Sequence, residues 1–123
     1  MLAAAGLVAI VAVAAVLRAL GAAQVHGPWI QVDETIYAKL GLDLWRHGGL
    51  DVLGGPTGFY SLLYPALTGG PLALWGMRGG ADVLRVLQAV LVSLTAVPVY
   101  LWARSVAPRR VALLAAALAV APP

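Results

Sequence analysis

The segment Leu2–Leu20, LAAAGLVAIVAVAAVLRAL, decides the fold of this chain because it has the length and composition of a membrane-spanning helix. A helix of this length rises about 28 Å, close to the thickness of the hydrocarbon core of a bilayer. The alternative is a secretory signal peptide cleaved near Gly21-Ala22-Ala23. Signal peptides have a basic n-region, absent here, and a shorter apolar region of roughly 7–15 residues. We therefore predict a retained transmembrane helix over residues 2–20.

The composition of the whole chain supports the membrane class. Hydrophobic residues make up 62% of the sequence and charged residues 11%, against about a quarter charged in an ordinary soluble domain. The net charge of +3 is small, and the basic residues do not cluster with aromatic ones, so no nucleic-acid partner is expected. The sequence has no cysteine, which excludes disulfides and thiolate metal sites.

A second apolar stretch predicts another full transmembrane helix over residues 83–103. Asp82 is its expected N-cap, and Pro98 is expected to kink it, as membrane helices tolerate. A turn with three arginines follows at residues 104–110, and a third apolar run covers residues 111–123. Because that run is shorter than the roughly 20 residues of a span, only the start of a third helix is expected.

The arginines of the 104–110 turn orient the chain, since basic loops stay on the cytoplasmic side. We predict a multi-pass protein of the cell membrane with a cytoplasmic N-terminus and an outer loop over residues 21–81. The 59–77 stretch of that loop is also apolar, but its prolines and glycines between residues 65 and 71 are expected to break a straight helix. Short helices at the interface or against the bundle are expected there.

The outer loop contains one amphipathic segment, residues 34–47, with Asp33 as a possible cap and Gly48-Gly49 at its end. Its apolar half consists of Ile36, Tyr37, Leu40, Leu44 and Trp45. This pattern predicts a helix lying flat on the membrane surface, with Tyr37 and Trp45 as interfacial anchors. The expected fold is therefore all-α and integral to the membrane, with two full transmembrane helices, the start of a third, and a juxtamembrane amphipathic helix.

The order of several short motifs resembles the opening of polytopic GT-C glycosyltransferases. The likeness is greatest to the family-39 group, which contains the protein O-mannosyltransferases and the aminoarabinose transferases. A first transmembrane helix with Arg18 near its end is followed by Asp33-Glu34, and Tyr37 comes three residues later. The other matching segments are Gly58-Phe59-Tyr60, Leu63-Tyr64-Pro65, Ala81-Asp82-Val83-Leu84-Arg85 and Ala107-Pro108-Arg109-Arg110. The resemblance covers nearly the whole chain.

The resemblance implies an enzyme that moves a sugar from a polyprenyl-phosphate donor to an acceptor at the outer face of the membrane. It implies that Asp33 is the catalytic base or the ligand of a divalent metal, Mg²⁺ or Mn²⁺, with Glu34 in support. Deprotonation of an acceptor hydroxyl requires a carboxylate of raised basicity, and an adjacent acid is one way to raise it. The expected partners are the sugar-carrying polyprenyl phosphate and membrane lipid.

Arg18 and Arg85 are expected to lie near the outer ends of the two spans and to bind the donor phosphate. Arginine can form two parallel hydrogen bonds with a phosphate, and ionisable residues inside a membrane are candidates for function by default. Snorkelling of each guanidinium to the lipid headgroups is the alternative. Tyr37 and Tyr60 are the aromatic residues assigned to the substrate, although most aromatic residues of this segment are expected to be interfacial anchors.

The acidic pair and the histidines also have purely structural explanations. Asp33 can be an N-cap only, and Glu34 a partner of the helix dipole in the first turn. His26 and His47 flank the amphipathic helix without the spacing of metal ligands, so exposed loop histidines are expected.

Enzymes of the resembling family have many more transmembrane helices than this sequence predicts. We therefore expect an N-terminal fragment that is inactive by itself. The alternative function is that of a small non-enzymatic membrane protein or a subunit of a membrane complex. That alternative explains the length of the chain, but it does not explain the paired acids at the start of an amphipathic helix.

Overall fold

Helices account for most of the structure, a computed structural model that describes residues 2–24, 32–56 and 61–121. The helices are α1 (Leu2–Ala23), α2 (Val32–His47), α3 (Leu63–Ser93), α4 (Ala96–Val106) and α5 (Arg109–Ala119). Between α2 and α3 in the sequence is a short antiparallel hairpin of β1 (Asp51–Val52) and β2 (Gly55–Pro56). The all-α class predicted from the sequence is confirmed for these residues.

Two helical stretches of the described residues, Ala3–Ala23 and Leu63–Val106, are long and apolar enough to cross a membrane. Their mean hydropathies are 2.3 and 1.8, and only 6% and 22% of their most apolar windows are buried. A core helix of a soluble protein would be mostly buried, whereas the large side chains on α1 are exposed, among them Val8 at 66%. Such surfaces are stable in hydrocarbon, which agrees with the membrane class.

The chain divides into two compact units. The first unit consists of residues 1–25 and 85–123, and the second unit consists of residues 26–84. The boundary between them falls inside α3, so this helix contributes to both.

Small side chains form the core of the first unit. Ala14 of α1, Ala96 of α4, and Ala116 and Val120 at the end of α5 are buried together. Partly buried apolar residues surround them, namely Leu7, Ile10, Val11 and Tyr100. Alanine lets helix backbones approach closely, which is how helices associate where the hydrophobic effect between them is weak. Helix α1 is thus an integral part of this unit.

The predicted second span, residues 83–103, is interrupted at Leu94–Thr95, where α3 gives way to α4. Pro98 explains the position of this break, because proline has no N–H to donate to the carbonyl four residues earlier, at Leu94. That carbonyl accepts the Val97 N–H at 3.0 Å instead. The prediction that Pro98 disturbs the helix is therefore confirmed. The break lies at Leu94 and Thr95, four and three residues before the proline. Asp82 lies within α3 and is not its N-cap.

Helices α2 and α3 cross in the second unit at two glycines. A Cβ atom on Gly41 would lie 2.7 Å from the Pro65 carbonyl oxygen and 2.8 Å from the Gly69 backbone nitrogen, so only glycine fits here. The Trp45 ring covers Gly70, and its Nε1–H donates to the Ala66 carbonyl at 2.8 Å. The backbones of the two helices are therefore in direct contact.

The glycines and prolines between residues 65 and 71 do not break α3, contrary to the prediction for the 59–77 stretch. Pro65 is in the first helical turn, where a missing N–H costs little. The break comes at Gly76, whose φ of 70° lies in the left-handed region that glycine adopts without strain. Residues 59 and 60 are outside the described residues.

Beyond Gly76, α3 folds back on itself. A Cβ atom on Gly80 would lie 2.7 Å from the Pro71 carbonyl oxygen. Residues this far apart in a straight helix would be separated by about 13 Å along the axis. The first part of α3 and the segment after Gly76 thus form a tight helical hairpin, which explains why short helices rather than one straight crossing occupy this stretch.

The amphipathic helix was predicted at residues 34–47 and is observed as Val32–His47. It ends before Gly48, which has a φ of 73° and donates its N–H to the Leu44 carbonyl. Its apolar side packs against protein: Leu40 is fully buried, and Tyr37 contacts Tyr64. The two residues predicted as interfacial anchors, Tyr37 and Trp45, therefore make contacts with α3.

The run predicted as the start of a third transmembrane helix contains α5, which has 11 residues and begins directly after Pro108. The predicted turn at residues 104–110 is narrower in the structure. Arg104 is in the last turn of α4, and Arg109 and Arg110 are the first residues of α5, leaving Ala107 and Pro108 between the helices.

We predict that Gly41→Ala destabilises the second unit by about 1–3 kcal/mol, because the added methyl group would overlap the α3 backbone. Gly21→Ala is the matched control, since a Cβ atom there has no neighbour within 4 Å and alanine favours helix. Thermal unfolding of both variants in detergent micelles, followed by circular dichroism, measures the difference. Equal midpoints for the two variants would contradict the close crossing of α2 and α3.

Candidate functional site

Arg18 and Arg85 line the same cavity of about 430 Å³, although they are far apart in the sequence. Arg18 comes from the last part of α1 and Arg85 from α3, and both are half-buried. Gln88, one turn after Arg85, adds a third polar side chain. The remaining lining residues are Leu17, Gly21, Ala22, Ala89 and Val92. Two guanidinium groups and one amide thus face an otherwise apolar space.

The guanidinium of Arg18 also contacts the end of α5. Its Nη2 donates to the Val120 carbonyl at 3.1 Å and to the Ala121 carbonyl at 3.5 Å. Carbonyls at the end of a helix have no partner within the helix, and a cation there also complements the helix dipole. The Nε of Arg18 is buried and, among the described residues, has no hydrogen-bond partner. Arg18 therefore retains a buried donor beyond its contacts with α5.

Charge is divided sharply between the two units. Every charged residue of the first unit is an arginine, and every acidic residue of the chain belongs to the second unit. The arginines are Arg18, Arg85, Arg104, Arg109 and Arg110, and the acids are Asp33, Glu34, Asp43, Asp51 and Asp82. The first unit is thus a strongly basic, apolar body with no carboxylate of its own. Its chemistry favours anionic ligands.

Asp33 and Glu34, the predicted catalytic pair, are both in the first turn of α2, and both are exposed. Carboxylates in this position interact favourably with the positive end of the helix dipole. Asp33 is the second residue of the helix, so it does not occupy the N-cap position that was the structural alternative. These two acids belong to the second unit, and the Arg18–Arg85 cavity belongs to the first.

Tyr37, assigned to the substrate, is one turn after Glu34 on α2. Its ring meets the Tyr64 ring edge to face, with centroids 5.1 Å apart. This contact with α3 orients Tyr37, as aromatic pairs of this geometry do. Tyr60, the other tyrosine assigned to the substrate, is outside the described residues.

A divalent metal at Asp33 was expected from the resemblance. No group of three or more His, Asp or Glu side chains that could hold an ion occurs within residues 2–24, 32–56 and 61–121. His26 lies outside these ranges. Asp33 and Glu34 do supply carboxylate oxygens, the donors that Mg²⁺ and Mn²⁺ prefer, and Mg²⁺ is often held by one or two carboxylates together with a substrate phosphate. The donor chemistry of the pair therefore fits such an ion.

Asp43 has a structural role that the sequence interpretation missed. Its Oδ1 is 2.8 Å from His47 Nδ1, and its Oδ2 accepts the Asp51 backbone N–H at 2.9 Å. The second of these bonds ties strand β1 to α2. The spacing of Asp43 and His47, four residues apart on one helix, was the signal that could have revealed the pair.

These hydrogen bonds also change the acidity of Asp43. The bond from the Asp51 backbone N–H, and then the bond to His47, hold the pKa of Asp43 below its usual value. The turn that follows places Leu53 and Gly54 at positive φ, 55° and 82°, and Leu53 is 88% exposed. Positive φ at both central residues is the type I′ pattern, which leucine adopts only under strain. The bond that Asp43 accepts from the Asp51 N–H thus helps to hold a strained hairpin.

Comparisons of the chain with protein-family models, with curated proteins and with solved structures found no match. The resemblance to GT-C glycosyltransferases therefore rests on the order of the sequence motifs. The roles that it implies for Asp33, Glu34, Arg18 and Arg85 are proposals.

We predict that the contact between Asp43 and the hairpin is lost in acid. A lowered folded-state pKa means that the stabilisation is present above the unfolded value of about 3.9 and disappears as the pH falls through the folded value. The chemical shift of the Asp51 amide, followed by NMR from neutral pH downward, should therefore change with a midpoint below that of a free aspartate.

Two variants separate the Asp43 titration from that of the neighbouring acid. Asp51→Asn keeps the backbone donor, so the acid-dependent change at residue 51 should persist. Asp43→Asn should abolish it. A change that survives in Asp43→Asn and vanishes in Asp51→Asn would show that Asp43 does not hold the hairpin.

Proposed function

We propose that this chain forms part of a membrane glycosyltransferase of the GT-C type, which transfers a sugar from a polyprenyl-phosphate donor to an acceptor at the outer face of the membrane. Arg18 and Arg85 bind the donor phosphate, and Asp33, supported by Glu34, serves the acceptor. In the reaction, an acceptor hydroxyl loses its proton to the Asp33 carboxylate, and its oxygen bonds to the anomeric carbon. The bond from that carbon to the phosphate oxygen breaks, and the polyprenyl phosphate leaves with the electron pair.

The observation that carries the proposal is the convergence of Arg18 and Arg85 on one cavity. A guanidinium can donate two parallel hydrogen bonds to a phosphate, and it is more weakly hydrated than an ammonium group, which suits a partly apolar site. Gln88 adds a neutral donor to the same space.

The charge distribution of the first unit supports the same ligand class. A unit with five arginines and no acid attracts phosphate and carries no internal carboxylate that competes for it. In the second unit, the exposure of Asp33 and Glu34 leaves both carboxylates accessible to an acceptor. A divalent ion bound at this pair would supply further charge stabilisation.

The proposed topology follows from the basic residues between α4 and α5. Arg104, Arg109 and Arg110 lie close together in the chain and are exposed, so the positive-inside rule puts this connection in the cytoplasm. The N-terminus is then cytoplasmic as well, and α2 with its acidic pair is outside. Retention of α1, in preference to its cleavage as a signal peptide, is supported by its packing in the core of the first unit.

A second candidate function is that of a small non-enzymatic membrane protein or a subunit of a membrane complex. The contact of Arg18 with the Val120 carbonyl favours it, because this bond gives Arg18 a structural purpose without any ligand. The two candidates differ in their ligand: the transferase binds a lipid phosphate through Arg85, whereas the structural protein has no need to bind one.

We predict that Arg85→Gln weakens the binding of a polyprenyl monophosphate by about tenfold or more, the loss expected from one charge-assisted hydrogen-bonding group. The measurement is a titration of the protein in nanodiscs of zwitterionic lipid. Arg104→Gln is the matched control, because it removes the same charge from the same unit at an exposed position away from the cavity. Equal effects of the two variants, or none from either, would contradict the donor site.

A separate prediction concerns the acid. The variant Asp33→Asn is produced in place of the natural protein, and sugar transfer is measured in the cell membranes. Transfer should fall by about 10²–10⁴-fold, the usual contribution of a general base, while donor binding stays unchanged. Asp51→Asn, an exposed acid of the same unit, should transfer at the normal rate. Normal transfer by Asp33→Asn would remove this residue from the chemistry.

A further inference from the structure

Arg109 and Arg110 begin α5 with two exposed positive charges. They follow a connection of only two residues, Ala107 and Pro108, and α4 and α5 pack against each other. The end of α4 and the start of α5 therefore lie at the same end of this pair of helices. We refer to the two residues as the Arg109–Arg110 pair.

The stability of α5 does not explain the position of the Arg109–Arg110 pair. Cations interact unfavourably with the N-terminus of a helix, which is the positive end of its dipole. The first turn of α5 has no acidic residue, and Pro108, at the N-cap position, has no polar side chain. Because the first unit contains no carboxylate, the charge that neutralises the pair comes from outside this unit.

Arg104 is the opposite case, although it is only five residues earlier. It belongs to the last turn of α4, where a cation complements the helix dipole. Its Nη1 donates to the Ala107 carbonyl at 3.1 Å. Arg104 thus has a structural role at the end of its own helix, and the Arg109–Arg110 pair has none of this kind.

Exposed apolar side chains of the same two helices indicate where the surface of the bilayer lies. Trp102 and Val106, in the second half of α4, are 73% and 75% exposed, and Leu114 of α5 is 64% exposed. Such side chains are stable in hydrocarbon, whereas a guanidinium is costly there. The boundary between hydrocarbon and water then passes close to the connection of α4 and α5. Tryptophan is enriched at this boundary, which agrees with the position of Trp102.

We propose that the Arg109–Arg110 pair is a docking surface for the headgroups of anionic phospholipids. Each guanidinium can form two parallel hydrogen bonds with a lipid phosphate, and the negative headgroup supplies the charge that the first unit lacks. The inference goes beyond the proposed function, because its ligand is a phospholipid of the surrounding bilayer and neither Arg18 nor Arg85 takes part.

The apolar neighbours of the Arg109–Arg110 pair favour a lipid headgroup over a dissolved anion. With Trp102 and Val106 in or near the hydrocarbon, the two arginines lie at the level of the headgroups. Lipid phosphates are concentrated at that level. The attraction of basic residues to an anionic membrane surface also falls off within a Debye length, about 10 Å at 0.1 M salt, so it acts on arginines in this position.

The test uses nanodiscs that contain equal amounts of phosphatidylglycerol, which is anionic, and phosphatidylcholine, which is zwitterionic, with the same acyl chains. The protein is extracted with its bound lipids, and native mass spectrometry measures the ratio of the two. The double variant Arg109→Gln/Arg110→Gln should lower the ratio of phosphatidylglycerol to phosphatidylcholine by about tenfold or more. Each basic residue near an anionic membrane surface contributes about fivefold to binding.

Two further double variants separate the charge of this pair from other effects. Lys39→Gln/Arg46→Gln is the matched control, because it removes two positive charges from exposed positions of α2, a helix that also carries acidic residues. It should keep the lipid ratio of the unchanged protein. Arg109→Lys/Arg110→Lys keeps the charges in place and should retain most of the preference.

Three results would overturn the inference. The first is an unchanged lipid ratio in the glutamine variant. The second is an equal loss in the lysine variant, which would show that positive charge is not the cause of the preference. The third is displacement of phosphatidylglycerol by inorganic phosphate beyond the effect of sodium chloride at the same ionic strength, which would assign the Arg109–Arg110 pair to a dissolved anion.

Discussion

Close backbone contact between helices is the constraint on which the rest of this structure depends. Apolar helices in a bilayer gain little from burying one another, so they associate where small residues let their backbones meet. Gly41 and Gly69 serve this purpose in the second unit, and Ala14, Ala96 and Ala116 in the first. The residues that would look least informative in a helical pattern thus determine which helix faces are joined.

Hydroxyl side chains near the helix breaks bond to backbone carbonyls. Where α3 ends and α4 begins, hydroxyl groups bond to carbonyls near the break: Ser93 donates to Ala89 at 2.7 Å, and Thr95 donates to Val92 at 2.6 Å. Thr68 does the same for Tyr64 before Pro71. The Val92 carbonyl also accepts the Thr95 N–H at 3.2 Å, so these hydroxyl groups add bonds to carbonyls earlier in the chain and in this way satisfy their own donors.

Packing of α1 against the end of α5 has a chemical consequence. It places Arg18 beside the Val120 carbonyl and, with Arg85 of α3, at the edge of a cavity in a unit that has no acid. A structural contact and a phosphate site need not compete for Arg18, because a guanidinium has five N–H donors. The proposed transferase and the structural role of this residue are compatible on that account.

The membrane-length helices, the all-α class and the end of α2 at Gly48 were determined by the sequence alone. These features depend on local sums of hydropathy and on the conformational preferences of single residues. The pairing of Arg18 with Arg85 was suggested by their common depth in two predicted spans, but their sharing of a cavity depends on which faces of α1 and α3 are turned inward.

Only the tertiary structure decided where α3 breaks and what covers α2. The sequence favoured a break among Pro65 and its neighbours, whereas the chain turns at Gly76. The segment after Gly76 packs back on the first part of α3, where Gly80 lies against the Pro71 carbonyl. Part of the apolar side of α2 meets α3, since Gly41 permits an approach that any side chain would block, while Trp45 on the same side stays 55% exposed. Both results depend on distances between segments remote in sequence, which hydropathy and helical periodicity do not encode.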